Sequence, residues 1–350
     1  MYSPYAPPPA KALIFLHNSR CGGNSVNNIL AEEFGTSAIF KLGQVGDTYY
    51  CHEDFIHAAE KGSQSLFLGH FCFGAHKFIP RPAEYFMCIR APLSRVWSSF
   101  KSAMKPPGTT LRKFVEDDFD STNGMVKRLC GFGFNDSLKC LYDFASDRPL
   151  PADFEPGKEH LDLALKHVEE WSPSVLFQEY MEESLLLLER HYQCRPLFSM
   201  RFQRFNQTPS IKLEEAVDTD TVRWLEQRNA LDSQLYDALS ARFHRILSAQ
   251  EQGYHDRLTV MKIISRIGAV EGQQVVDQEL FLQRFQHVVD ILLDTNQTAL
   301  IIELFLVLLT KPTIPKPYWK EALGIVEKIG SNKQYGVFEE LLRSRFPDEA

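Results

Sequence analysis

The chain has 350 residues, 44% of them hydrophobic and 24% charged, with a formal net charge of −7. Those values describe an ordinary folded chain with room for one large domain or a domain plus a smaller one, and they exclude a disordered polymer. The acidic balance argues against a global electrostatic attraction to nucleic acid, although a local basic pocket is still allowed.

Residues 1–11 read as an extended arm, with Pro7, Pro8 and Pro9 in sequence. They lack the basic stretch followed by an apolar stretch that makes a signal peptide. Order is expected from Ala12, where the apolar run Ala12 to His17 predicts a buried strand. The loop Asn18-Ser19-Arg20-Cys21-Gly22-Gly23-Asn24 follows, and Val26, Ile29, Leu30 and Phe34 then stand at helical spacing before Gly35. Ser65 to Gly69, Tyr85 to Arg90 and Ser174 to Phe177 predict three more strands. Pro92 opens a helix with Leu93, Val96, Trp97 and Phe100 on one face, and Met181 to Tyr192 predicts another helix. Strands alternating with helices predict an α/β fold with a central parallel sheet, whose ligand site lies beyond the carboxyl ends of the strands. His17, His70 and Arg90 fall at such ends.

From about Asp218 only helical patterns remain. The stripes are Leu235, Leu239, Phe243 and Ile246, then Leu282, Phe285, Val289 and Leu292, then Trp319, Leu323, Val326 and Ile329. The prolines between Lys311 and Pro317 predict a break. The stretch Thr298 to Leu309 is apolar almost all round, too short for a membrane span, and interrupted by Glu303. A division follows: an arm over 1–11, an α/β domain over 12–250 and an all-helical C-terminal extension over 251–350. The extension is either a stabilising appendage or a surface for a protein partner or self-association. All seven cysteines (21, 51, 72, 88, 130, 140 and 194) precede residue 195, their number is odd and none forms a CxxC pair. That pattern argues against a disulfide framework or a zinc ribbon and favours a reducing compartment, which with no membrane span predicts a cytoplasmic protein.

Two segments carry charge chemistry. Adjacent glycines after the first strand let the backbone wrap an anion, helix-start N–H groups point at it, and Arg20, Asn24 and Ser25 add donors. A plain Gly turn explains the same loop equally well. Cys21 either carries a lowered thiol pKa at a helix start beside Arg20 or fills a Thr-sized place. Arg90, Arg95 and Ser98 flank the next strand-to-helix turn. Arg90 and Ser98 are placed to reach a second phosphate, and Arg95 either joins them or pairs with a carboxylate.

Taken together, these segments resemble the membrane-type carbohydrate sulfotransferases, the branch that includes heparan sulfate 2-O-sulfotransferase and its bacterial relatives. The family motif F-x-H-I-P-K-T-G-G-T-S is met by Phe15 to Ser25, and R-D-P-x-x-R-x-x-S by Arg90 to Ser98. Gly69-His70-Phe71 with Phe73-Gly74, and Asn123 through Arg128-Leu129 and Gly131, resemble further family segments. Gln178-Glu179, Arg204 to Thr208 and Leu231 to Tyr236 follow in family order, so the resemblance covers about Ala12 to Leu247. It implies a P-loop NTPase-like sulfotransferase fold. It also implies transfer of a sulfuryl group from 3′-phosphoadenosine 5′-phosphosulfate (PAPS) to a hydroxyl, of a carbohydrate by family membership, without a metal. Arg20, Cys21, Gly22, Gly23, Asn24 and Ser25 would hold the phosphosulfate, Arg90 and Ser98 the 3′-phosphate, and Arg204 a closing loop. His70 matches the family's general base, the alternative being a strand-end histidine hydrogen-bonded to backbone. Arg20 supports the leaving phosphate, His17 is a weaker candidate for the base that is expected to be structural or to orient the loop, and His76 is expected on the surface.

Three departures from the pattern matter. Arg20 replaces a lysine, Asn24 a threonine, and Ala91 the aspartate after Arg90, which predicts a freed Arg95 or a looser turn. A nucleotide-binding protein with weakened or lost catalysis is therefore the alternative. A nucleotide kinase is disfavoured, because there is no GxxxxGK[ST] loop.

Overall fold

The computed structural model describes residues 11–45, 48–135, 138, 140–151, 153–172, 174–192 and 212–255, together with scattered positions farther along the chain. The chain divides into two compact units, one of Met1–Tyr192 with Phe205–Ala249, the other of Gln193–Arg204 with Gln250–Ala350.

The first unit is built on a five-stranded sheet. In chain order its strands and short hairpins are β1 (Ala12–His17), β2 (Ile39–Lys41), β3 (Gly43–Val45), β4 (Thr48–Tyr50), β5 (Leu66–Gly69), β6 (Ala83–Ile89), β7 (Phe132–Asn135), β8 (Cys140–Asp143), β9 (Arg148–Pro149) and β10 (Ser174–Phe177). The main sheet runs β10-β6-β1-β5-β2, and every pairing in it is parallel. Its strands are apolar along both faces because both faces are covered. Ile14, Leu16, Phe67, Tyr85, Met87, Ile89 and Phe177 belong to one buried cluster, while Leu13, Phe15, Leu66, Leu68, Phe86 and Cys88 are buried as well.

The helices are α1 (Gly23–Phe34), α2 (His52–Lys61), α3 (Pro92–Ser102), α4 (Leu111–Asp117), α5 (Gly124–Cys130), α6 (Lys158–Trp171), α7 (Met181–Tyr192), α8 (Leu213–Ala216), α9 (Thr219–Arg228) and α10 (Ala230–Ser248). Residues of α2, α5, α6 and α10 join the cluster on the even-numbered face of β1. A smaller core gathers Val96, Leu111, Val115, Leu213 and Leu225 from α3, α4, α8 and α9.

Two helix starts satisfy each other across the sequence. The Asn123 side-chain oxygen accepts from the amides of Leu231 and Asp232 at the head of α10, both at 3.1 Å. In return Asp232 accepts from Met125 (3.1 Å) and Val126 (2.9 Å) at the head of α5, and Asn229 accepts from the Asn123 amide at 3.1 Å. Each helix thus supplies the acceptors that the other's orphan N–H groups require.

Several expectations are corrected. The apolar runs locate β1, β5, β6 and β10, but the sequence reading missed β2, the β3–β4 hairpin and the antiparallel β7–β8–β9 sheet. Along α10, Leu235, Leu239 and Phe243 are buried, whereas Ile246 is 37% exposed. From Gln252 on, the described residues are helical, and among them Val289, Ile301, Phe305 and Val326 are buried. The other stripe members, the break after Lys311, residues 1–10 and Arg204 lie outside the described residues. No helix among the described residues is long and apolar enough to cross a membrane.

Candidate functional site

All strands of the main sheet are parallel, so their carboxyl ends share one edge. Register sets Leu16 beside Gly69, His17 beside Cys88 and Phe177 beside Ile89. The loop after β1 is therefore flanked by His70, following β5, and by Arg90, following β6. Two inter-strand spacings, about 10 Å, separate those flanking backbones.

The loop is fixed by its own chemistry. Asn18 is buried, and its side-chain amide donates to the Cys88 carbonyl at 3.0 Å, tying the loop to the next strand. Arg20 has a φ of 65° and Gly22 one of 84°, so the chain makes two left-handed steps before α1. A side chain at Gly22 would also press on Met181, its Cβ falling 2.9 Å from the methyl carbon. A Cβ on Gly23 would fall 1.9 Å from Nε2 of His17. Gly23 is thus required by a ring packed against it, which the sequence reading did not anticipate.

Helix α1 has no side-chain cap. The Ser25 amide turns back onto the Gly22 carbonyl at 3.1 Å, so the Gly23 and Asn24 amides are the donors left at its start. Asn24 is exposed and Ser25 buried. Cys21 is turned inward. Its amide donates to the Asn18 carbonyl at 3.3 Å, and its thiol points at the Ser19 carbonyl at 3.6 Å. Burial pushes that thiol up to about 12, so it is no reactive thiolate and contributes packing rather than a donor.

Beside the loop the cations gather. The Arg20 Nε–H donates to Ser98 Oγ at 3.2 Å, and the Arg90 guanidinium donates to the Arg20 carbonyl at 3.1 Å. Desolvation first, and then the Arg90 charge, holds Arg20 below its usual value. Lys101, one turn beyond Ser98 on α3, is lowered by desolvation and then by Arg90 and Arg20. Arg20, Arg90 and Lys101 thus place three positive charges beside the loop, a field suited to an anion. The Nε of Arg90 is buried and has no partner among the described residues. Lys101 was absent from the sequence reading.

Ala91 does not loosen the turn. Its amide donates to Glu179 Oε1 at 2.9 Å, and Tyr236 donates to Glu179 Oε2 at 3.2 Å. A carboxylate from the end of β10 thus holds the start of α3. Nor is Arg95 freed toward a ligand. It is buried, donates to the Asp120 carbonyl at 2.7 Å and pairs with Asp232 at 3.4 Å.

His70 stands on the other flank, reached by solvent at its edge while its ring packs on His17 and is largely surrounded by protein. Its Nδ1 lies 2.9 Å from the His17 carbonyl. A carbonyl only accepts, so Nδ1 carries the proton and the neutral ring presents a bare Nε2. Burial first, and then the Arg128 charge, lowers its pKa and keeps it neutral. Arg128 donates to the His70 carbonyl at 2.9 Å and is itself paired with Asp120. The His17 ring stacks on His70 with centroids 4.6 Å apart. His76, expected on the surface, is instead half-buried. Its Nδ1 lies 2.8 Å from the Tyr85 hydroxyl and its ring stacks on Trp171 at 4.1 Å, and burial pushes it down to about 4.

Burial, with His70, Arg128 and Arg20 nearby, brings His17 down to about 3. An unfolded chain takes the proton near pH 6.5, before the folded ring does. Stability is therefore fully present above pH 6.5 and falls as pH drops from there toward 3. His17→Phe keeps a ring and removes the titration, so urea midpoints measured across that range are expected to flatten.

The fold and the edge together define an α/β protein with a cluster of cations on one flank of β1 and a neutral imidazole on the other. No family model matches the chain, and no curated protein matches it. Among the described residues no group of histidine, cysteine and carboxylate side chains is arranged to hold a metal.

Proposed function

We infer that the protein is a sulfotransferase that moves a sulfuryl group from PAPS to a hydroxyl of a carbohydrate acceptor. The observation that carries this reading is the placement, on the two flanks of one strand end, of a cation cluster and a histidine with its Nε2 lone pair exposed. The donor set fits a doubly phosphorylated nucleotide: two guanidiniums, an ammonium, a hydroxyl and two helix-start amides, with one buried Arg90 N–H awaiting an acceptor. Arg20 with the Gly23 and Asn24 amides would hold the phosphosulfate. Arg90, Ser98 and Lys101 would hold the 3′-phosphate.

The donor supplies an activated sulfuryl group whose bond to the bridging oxygen breaks as the acceptor oxygen bonds to sulfur, the nucleotide bisphosphate keeping the electron pair. The chain's own work is positioning and charge. His70 Nε2 takes the acceptor's proton. Arg20 meets the negative charge that grows on the leaving phosphate. Arg128, fixed by Asp120, holds the His70 backbone and disfavours early protonation of its ring. The odd number of cysteines, none in a CxxC pair, supports a reducing, cytoplasmic setting.

One observation favours a second reading, a nucleotide-binding module without transfer: Arg20 already directs its Nε–H to Ser98, and as an arginine it gives up a proton less readily than lysine. Calorimetry with 3′-phosphoadenosine 5′-phosphate tests the site common to both. Arg90→Ala is expected to weaken binding by about 1.5–3 kcal/mol, the worth of charge-assisted bonds to a phosphate. Equal affinity in that variant would overturn the assignment of Arg90, and absence of binding in the wild type would overturn both readings. Sulfuryl transfer to an acceptor then separates enzyme from module.

A further inference from the structure

A cavity of about 230 Å³ lies at the β10 edge of the main sheet, away from the strand-end site. Its walls come from two helices. Ser184, Leu187, Leu188 and His191 of α7 line one side, and Leu239, Arg242, Phe243 and Ile246 of α10 the other. Each set follows the i, i+3, i+4, i+7 spacing of a single helical face. Such faces ordinarily pack together. Here α7 packs on β10 while α10 packs on α6 and α5, and β10 residues, Val175 among them, floor the space between the helices.

The lining is mostly apolar with one cation. Arg242 is half-buried, and among the described residues no acceptor takes its guanidinium. The other basic group, His191, is turned to Glu84, its Nε2 lying 3.3 Å from Oε1, and Glu84 also accepts from Lys11 and Tyr192. Ser184 is likewise engaged, accepting from the Phe177 amide and donating to the Tyr180 carbonyl. The cavity therefore offers an apolar interior and a single fork of N–H donors. Its volume is below the roughly 300–1,000 Å³ of pockets for drug-sized ligands. It suits a short acyl chain or one aromatic ring.

We propose that this cavity is a binding site for a small amphipathic monocarboxylate, its apolar part between α7 and α10 and its carboxylate paired with Arg242. A planar carboxylate matches the guanidinium fork bidentately, and one negative charge matches one available cation. A dianion would require further donors, and those nearby are already used. A neutral molecule would leave Arg242 without its acceptor.

The test uses the full chain with hexanoate and phenylacetate as probes, against hexanol and 2-phenylethanol as neutral counterparts and sodium chloride at matched ionic strength. Thermal unfolding is expected to rise saturably with at least one carboxylate, and at least ten-fold more weakly with its alcohol. Arg242→Gln is expected to weaken that response ten-fold or more without changing the ligand-free midpoint. Leu187→Phe, which fills the apolar end, is expected to remove it. Affinity for 3′-phosphoadenosine 5′-phosphate should be the same in both variants, because the strand-end site is untouched. No saturable shift with either carboxylate, an alcohol response equal to that of its acid, or an undiminished response in Arg242→Gln would each overturn the proposal. If Arg242→Gln does not fold, Arg242→Lys serves in its place, with weaker carboxylate binding expected from loss of the bidentate fork and an unchanged response again overturning the proposal.

Discussion

Replacing His70 with alanine is expected to lower sulfuryl transfer about 10²–10⁴-fold, the usual worth of a positioned base. Affinity for 3′-phosphoadenosine 5′-phosphate should hold, because His70 follows β5 whereas the cations lie on the β6 side of β1. The wild-type pH profile carries a second readout. Burial and Arg128 hold the imidazole below its ordinary 6.5. Since the proposed base acts through its neutral ring, the rate should stay flat at pH 7 and fall only below pH 6.5. Steady-state rates across pH, with calorimetry on the same variant, check both. An unchanged rate in His70→Ala would remove it as the base.

The largest stability effect is expected at Asp232. Its carboxylate accepts two amides at the head of α5 and faces Arg95, with both side chains almost fully buried. Burial pushes the carboxyl up, against the pull of Arg95 and those amides. Asp232→Ala would strand a buried guanidinium and two helix-start N–H groups together. Removing one partner of a buried pair typically costs about 3–5 kcal/mol. The urea midpoint should drop at unchanged slope, because the surface exposed on unfolding is nearly the same. Asp232→Asn keeps an acceptor and should fall between. A midpoint for Asp232→Ala within error of the wild type would refute the capping role.

The contrast between these two residues shows what the sequence could disclose. His70 was legible because it ends an apolar run, and a strand buried on both faces announces itself through Leu66 to Leu68. The same holds for β1, β6 and β10. Strand β2 is three residues long at a sheet edge, and the β3–β4 and β7–β9 pairings involve short strands with exposed aromatics such as Tyr49 and Phe134, so no long apolar period marks them. Asp232, Glu179 and Tyr236 could be placed in order along the chain but not given their roles, and Asn229 was not singled out at all. Their partners are distant: Glu179 meets Ala91 at a separation of 88 residues, and Asp232 meets Val126 at 106. Local spacing holds no trace of such pairings. Gly23 was legible as a glycine of consequence, but the reason lies in a ring contact with His17 that only the folded loop creates. Lys101 escaped for a related reason, since one lysine on an exposed helix carries no mark until Arg20 and Arg90 are seen beside it.

The exchange of caps between α5 and α10 has a consequence for how the chain is made. A ribosome releases residues in order, and Asn123 leaves it more than a hundred residues before Asp232. Until then the head of α5 lacks its acceptors and Arg95 its carboxylate, although every strand of the main sheet has already been synthesised. Closing so long a loop comes late and slowly, as in any fold dominated by distant contacts. A nascent chain halted near residue 212 would hold every strand of the main sheet and still lack the acceptors that cap α5. Any expression fragment meant to fold alone must therefore run through α10.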